Sequence, residues 1–147
     1  METPTLLNDR IHITAQKAIA RQFVEEIFAG GRVEAVDELV APEFVSQTFG
    51  ITEDGREQLK AATQRMHESL TDVEFHIEDM VGEDEKVAVR LTSSATPRGE
   101  FMGVEAGGKR YTVEEMHLLR IVDGHVVEHW HSHDALGIMR QIGALPR

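Results

Sequence analysis

The residues that could do chemistry gather in the last third of the chain. Between Tyr111 and Val122 the residues alternate, placing Tyr111, Val113, Glu115, His117, Leu119 and Ile121 on one face of a strand. Glu115 and His117 interrupt an otherwise apolar face, and a buried imidazole must find a partner or give up its charge. Asp123-Gly124 predicts a hairpin turn. The returning strand carries His125, His129, His131 and His133, four of the eight histidines of the chain, at odd positions that share a face. The turn decides which of them meets His117. A two-residue loop pairs Val122 with His125, sets His117 opposite Trp130 and turns His131 away. A type I turn with a glycine bulge pairs Ile121 with His125 and brings His117, His129 and His131 to one face. Both registers fit the residues.

Imidazole beside carboxylate suits proton transfer near neutral pH. Alternating histidines could also offer two nitrogens to one metal ion, with His117 and Glu115 completing a mixed set, although histidines near a hairpin end are commonly solvated. The chain has no cysteine, which excludes a disulfide scaffold, a thiolate nucleophile and cysteine-based metal sites. Its net charge of −11 argues against nucleic acid and anionic membrane surfaces as partners. The start METPTLLNDR lacks a basic leader pattern, and no apolar run approaches a membrane span, so the expectation is a cytoplasmic protein with no membrane partner.

The elements that must position these groups read as helices first and strands afterwards, an α+β order in a single domain over residues 1–147. Ile19, Ala20, Phe23, Val24, Ile27 and Phe28 mark one helix face between about Thr14 and Ala29, stopped by Gly30-Gly31. Val33 to Val40 predicts a short helix ending before Pro42. A loop with Phe44, Ser46 and Phe49 follows, and Leu59, Ala62, Met66 and Leu70 mark a third helix. Strands are expected around 73–78 and 87–92, with Gly82 to Glu85 as an acidic turn and 96–109 as a strand edge broken by a glycine-rich loop. Asp134 can cap a final short helix through Ile142.

The run Glu115-Met116-His117-Leu118-Leu119-Arg120-Ile121-Val122-Asp123-Gly124, continuing through Val126, Glu128 and Trp130 to Asp134 and Gly137 to Gly143, resembles the C-terminal signature of SnoaL-like polyketide cyclases. These belong to the nuclear-transport-factor-2-like, or ketosteroid-isomerase-like, superfamily. Gly99 to Gly103 with Gly108-Lys109-Arg110, and Val36 to Phe44, are similar too, so the resemblance spans nearly the whole chain. It implies a cone-shaped curved antiparallel sheet packed against three N-terminal helices, with a short C-terminal helix and a mostly apolar pocket. It also implies a cofactor-free intramolecular aldol closure of a polyketide ester, with no metal, and a homodimer.

Carried over by residue, the family histidine of the penultimate strand matches His117. The family's catalytic Asp falls at His131, and a pocket Asn aligns with Ser46, so two of three polar positions depart. Asp134 matches a family Asp whose expected job here is capping. The candidate site therefore has His117 and His131 as catalytic residues. Ser46, Phe44, Phe28, Met66, Glu115, His129 and Trp130 are its substrate-binding residues, Trp130 doubling as sheet packing. The expected partner is a small apolar or polyketide-like molecule.

Three readings differ in what they require. An enzyme moving a proton beside a carbonyl, of cyclase, isomerase or lyase type, needs His131 in the pocket. A module that only binds a small molecule expects His131 turned to solvent. An association module expects the cone filled by Phe23, Phe28, Phe44, Met66 and Met116, with no cavity.

Overall fold

The first helix begins where a threonine side chain can satisfy a free amide. Thr3 caps α1 (Pro4–Gln22), its hydroxyl accepting from the Leu6 amide at 3.3 Å, with Pro4 at the first position. The computed structural model describes residues 3–145. The helix starts ten residues earlier than the periodicity predicts, because Leu6, Leu7 and Ile11 face solvent and leave no inward stripe to read. Gln16, buried, donates from Nε2 to the Ile121 carbonyl at 3.0 Å and ties the helix to the distant hairpin.

The stretch expected to continue as α-helix widens into a π-helical segment, Phe23–Ala29. The Gly30 and Arg32 amides close five- and six-residue turns on the Glu25 and Glu26 carbonyls. This wider spiral turns the adjacent pairs Phe23-Val24 and Ile27-Phe28 inward together, and all four are buried. A short α2 (Glu34–Leu39) then leads into β1 (Val40–Ser46), a strand where the sequence suggested a helix end and a loop. Pro42 hides this strand from sequence patterning. It is tolerated because β1 is an edge strand whose register shifts between Val40 and Val45.

After α3 (Gly55–Ser69) come β2 (Leu70–Glu83) and β3 (Lys86–Pro97), longer than the alternation alone suggested. The turn between them is only Asp84-Glu85, with Asp84 at positive φ. A small hairpin of β4 (Glu100–Phe101) and β5 (Val104–Glu105) fills the glycine-rich segment. The chain closes with β6 (Tyr111–Val122), β7 (His125–His133) and α4 (Ala135–Gln141). Asp134 caps α4, accepting from the Gly137 amide at 2.8 Å.

The five long strands form one curved sheet in the order β1-β7-β6-β3-β2, antiparallel except where β1 runs parallel to β7. β3 and β6 alternate cleanly, with Val87, Val89 and Leu91 meeting Leu119 and Ile121 on the face that the helices cover. Two apolar clusters result. One packs α1 and the π segment against the sheet; the other gathers Leu70, Ala95, Tyr111, Val113, Ile138 and Ile142, and Met66 touches both.

Where α3 begins, Gly55 lies hard against the Phe44 backbone, and a Cβ there would collide with the Phe44 carbonyl oxygen. A carbonyl within a strand cannot swing aside as a side chain can. Gly55→Ala is therefore expected to cost about 1–3 kcal/mol of stability, read as a lower urea midpoint. An unchanged midpoint would show that α3 and β1 separate freely.

Candidate functional site

The β6–β7 hairpin combines features of both expected registers. Asp123 and Gly124 both have positive φ, as a two-residue type I′ turn requires, and Val122 pairs with His125. Three residues on, the register shifts: Ile121 pairs with Val126 but Arg120 pairs with Glu128, so Val127 is an extra residue. The bulge reverses the consequence of the turn. His117 now pairs with His131 and Leu119 with His129, and all three histidines face the helices. The adjacent apolar pair Val126-Val127, both buried, is the break in alternation that marks the bulge in the sequence.

A chain of polar contacts runs through this face. Glu115 Oε1 lies 3.0 Å from His117 Nε2 and 2.8 Å from His131 Nε2. His117 Nδ1 lies 2.9 Å from His129 Nε2, and His129 Nδ1 lies 3.3 Å from Ser46 Oγ. A carboxylate only accepts, so both Nε2 atoms donate to Glu115. With neutral rings the remaining protons follow: His129 donates to His117, and Ser46 donates to His129. His131 is then left with an unprotonated Nδ1, which is buried and has no partner among the described residues.

Electrostatics agrees with an ionised Glu115 and neutral His117 and His129. Burial alone would raise the Glu115 carboxyl, but the hydrogen bonds from His117 and His131 outweigh it and hold the group well below the ordinary carboxylate range. Burial lowers His117 despite its bond to Glu115, and burial with the neighbouring imidazoles lowers His129 further. These rings stay neutral. His133, stacked on His131 with centroids 4.9 Å apart, is also lowered by burial and by His131.

Glu115 and His131 stand at the wall of a cavity of about 410 Å³. It lies between the two apolar clusters, lined by Phe28, Leu59 and Phe75 from one and Leu70, Tyr111 and Ile138 from the other. Met66 and the β4–β5 hairpin, through Phe101 and Met102, complete much of the wall. Such a size and lining suit a small, mostly apolar molecule. The His131 side chain is only 9% exposed. The cavity departs from the filled-cone expectation, and His131 faces it rather than solvent.

The structure distributes the expected site residues unevenly. Phe28, Met66, Glu115 and His131 line the cavity. His117, His129 and Ser46 lie fully buried behind that wall as the hydrogen-bonded chain. None of these three lines the cavity as expected, and two further positions also lie away from it. Phe44 is a core residue packed on Phe23, because β1 turns its side chain under the helices. Trp130 alternates with His129 and His131 and so projects from the opposite face, where Lys86 Nζ sits 5.8 Å from its ring centroid. Met116 likewise faces outward, half exposed.

Sequence reasoning did not assign His133, Tyr111, Phe49 or Phe101 to the site. His133 and Tyr111 follow from strand alternation once the hairpin register is known. Phe49 depends on a turn closed by reciprocal amide bonds between Ser46 and Ile51. That turn is clamped to β7 by Thr48, whose hydroxyl accepts from the His131 amide at 2.9 Å and donates to the His131 carbonyl at 3.2 Å. Phe49 thereby stacks on His129 and packs at a tilt against His131.

The chain belongs to the SnoaL-like polyketide cyclase family, whose sequence model matches residues 18–142. It is 30% identical over 138 residues to the aklanonic acid methyl ester cyclase DnrD of Streptomyces peucetius, covering 89% of this chain and 92% of the relative. Among solved structures, TsrD from Streptomyces laurentii superposes with a TM-score of 0.80 at 28% identity, over 90% of this chain and 97% of that one. IdmH from Streptomyces antibioticus superposes with a TM-score of 0.76 at 28% identity, over 87% and 98%. No described helix is long and apolar enough to cross a membrane.

The neutral buried rings set an acid limit on stability. In the unfolded chain histidines take up protons near pH 6.5, whereas His117 and His129 resist them in the fold. Stability is thus complete above about pH 6.5 and declines as pH falls through that value. Glu115 adds a second loss below about pH 4.3, where its unfolded carboxyl protonates. Urea midpoints at about pH 7.5 and about pH 5.5 should differ, the lower pH being less stable. Equal midpoints would mean that the folded rings accept protons freely.

Proposed function

We propose that the cavity performs cofactor-independent proton transfer beside a carbonyl, as in an intramolecular aldol closure of a polyketide-like ester, with His131 as the base. The observation that carries this reading is the pairing of His131 Nε2 with Glu115 Oε1, which leaves Nδ1 unprotonated and without a partner among the described residues, in a ring of the cavity wall. Glu115 is the weaker candidate for the base, because two imidazole N–H groups hold its carboxyl low, and a general base works best with a pKa near the operating pH. His131 instead offers a free ring nitrogen while its other nitrogen is held by a carboxylate. Glu115 orients the ring and stabilises the imidazolium that forms.

The step balances simply. The carbon–hydrogen bond breaks, its proton passes to Nδ1, and its electron pair moves onto the carbonyl oxygen as an enolate. The enolate carbon then bonds to a second carbonyl carbon, and the imidazolium returns the proton to the resulting alkoxide. Nδ1 is covered in the free protein, so substrate contact requires the wall around His131 to give way, in keeping with catalytic contacts that tighten only in the complex. Tyr111 supplies a donor for the enolate. Its hydroxyl, raised to about 12 by burial and by Glu115, stays protonated at working pH. His117, His129 and Ser46 act as positioning residues, since none of them lines the cavity and their hydrogen bonds lead to it through Glu115.

Deuterium exchange at the α-carbon of a bound β-keto ester tests the assignment. His131→Ala should lower the exchange rate by about 10²–10⁴-fold with ligand binding retained, and unchanged exchange would remove His131 from the mechanism. Tyr111→Phe should slow exchange by about 10²-fold without moving the pH profile. A shifted profile with an unchanged plateau would instead make Tyr111 an electrostatic neighbour of Glu115.

A further inference from the structure

We infer that Glu115, His117 and His131 form a site for a divalent transition metal ion, and that a bound ion switches the base off. The second half rests on the His131 reading above; the site itself stands on its donor geometry. One ligand atom from each residue lies within 4.8 Å of the other two. The side chains are buried, with 10%, 0% and 9% of their surfaces exposed, and the His117 and His131 rings stack with centroids 4.4 Å apart. Two imidazole nitrogens and one carboxylate oxygen suit zinc, cobalt, nickel or iron(II), whereas magnesium and calcium favour oxygen donors. The ion would take the place of the two N–H protons that now converge on Glu115. Glu115 and His131 both line the cavity, which offers a further coordination position to water or a ligand.

The residues behind the wall fit this role. A ligating histidine is usually held by a hydrogen bond from its other ring nitrogen. His117 Nδ1 has that partner in His129 Nε2 at 2.9 Å, and His129 Nδ1 has one in Ser46 Oγ at 3.3 Å. With metal on His117 Nε2, the His117 proton moves to Nδ1 and is donated to His129. His129 in turn carries its proton on Nδ1 and donates to Ser46. Every ring stays neutral, and each contact survives with donor and acceptor exchanged. His129 itself has both nitrogens engaged and is an outer partner, not a ligand.

On His131 the same exchange has the opposite effect. Metal on Nε2 sends the ring proton to Nδ1, the nitrogen assigned as base, and removes its lone pair. A metal-bound site and an active base therefore exclude one another. The net charge of −11 favours approach of a cation over that of an anion.

Titrating the full chain with Co²⁺ alone tests the site. Saturable visible d–d bands at one ion per chain are expected, with Glu115→Gln and His131→Gln each weakening binding about tenfold or more while circular dichroism remains native. Absence of saturable bands in the wild type, or undiminished affinity in a folded variant, would overturn the site; if one variant fails to fold, the other decides. For the switch, Zn²⁺ should suppress α-deuterium exchange and a chelator should restore it. Exchange that persists at metal saturation overturns the switch. A chain that exchanges nothing with or without metal defeats the base reading and the switch with it, while the Co²⁺ bands still decide the site.

Discussion

A carboxylate taken out of water must be paid for in hydrogen bonds, and the rest of this structure is arranged around how Glu115 obtains them. Its two donors come from different strands, His117 on β6 and His131 on β7. Each donor then imposes conditions further out. His117, once it donates through Nε2, needs a donor for Nδ1, which is His129; His129 needs one in turn, which is Ser46 on β1. One buried charge thus links three neighbouring strands, and apolar packing from the π segment closes over the result. The Phe28 ring lies 5.3 Å from His117 and 5.5 Å from His129, and Phe23 lies 5.4 Å from His129.

This arrangement explains how His131 and Ser46 fit the site together. An imidazole at position 131 would be a second basic group in an apolar wall if it stood alone. Beside Glu115 it becomes a donor that the carboxylate needs. Serine at position 46 is short, and it suffices because His129 asks for a single hydroxyl proton. The polar positions of the site form one set, in which replacing one member alters what the others must supply.

Much of this was legible from residue order, and the remainder was hidden for identifiable reasons. Alternation along Tyr111 to Val122 placed Glu115 and His117 on the inward face, and Asp123-Gly124 marked the turn. The position of His131 turned on Val127, one extra residue whose effect is to reverse the pairing beyond it. β1 was obscured by Pro42 and by a parallel partner more than 80 positions away in the chain, which no local pattern reveals. The π segment reads as an ordinary amphipathic helix, since paired apolar residues at 23-24 and 27-28 fit either spiral. Phe44 and Trp130 lie away from the cavity because backbone direction, which residue type does not reveal, sends their side chains elsewhere.

The Ser46–His129 contact spans 83 positions, and the β1–β7 pairing that carries it is parallel. Contacts of such separation close late, because a long loop must lose its freedom before they reward it. During synthesis the N-terminal helices and β1 emerge with no sheet to join, and the site cannot begin to assemble until the final hairpin has left the ribosome. An edge strand waiting for its partner is exposed to wrong pairing in that interval, and Pro42 in the middle of β1 blunts the strand against a premature neighbour.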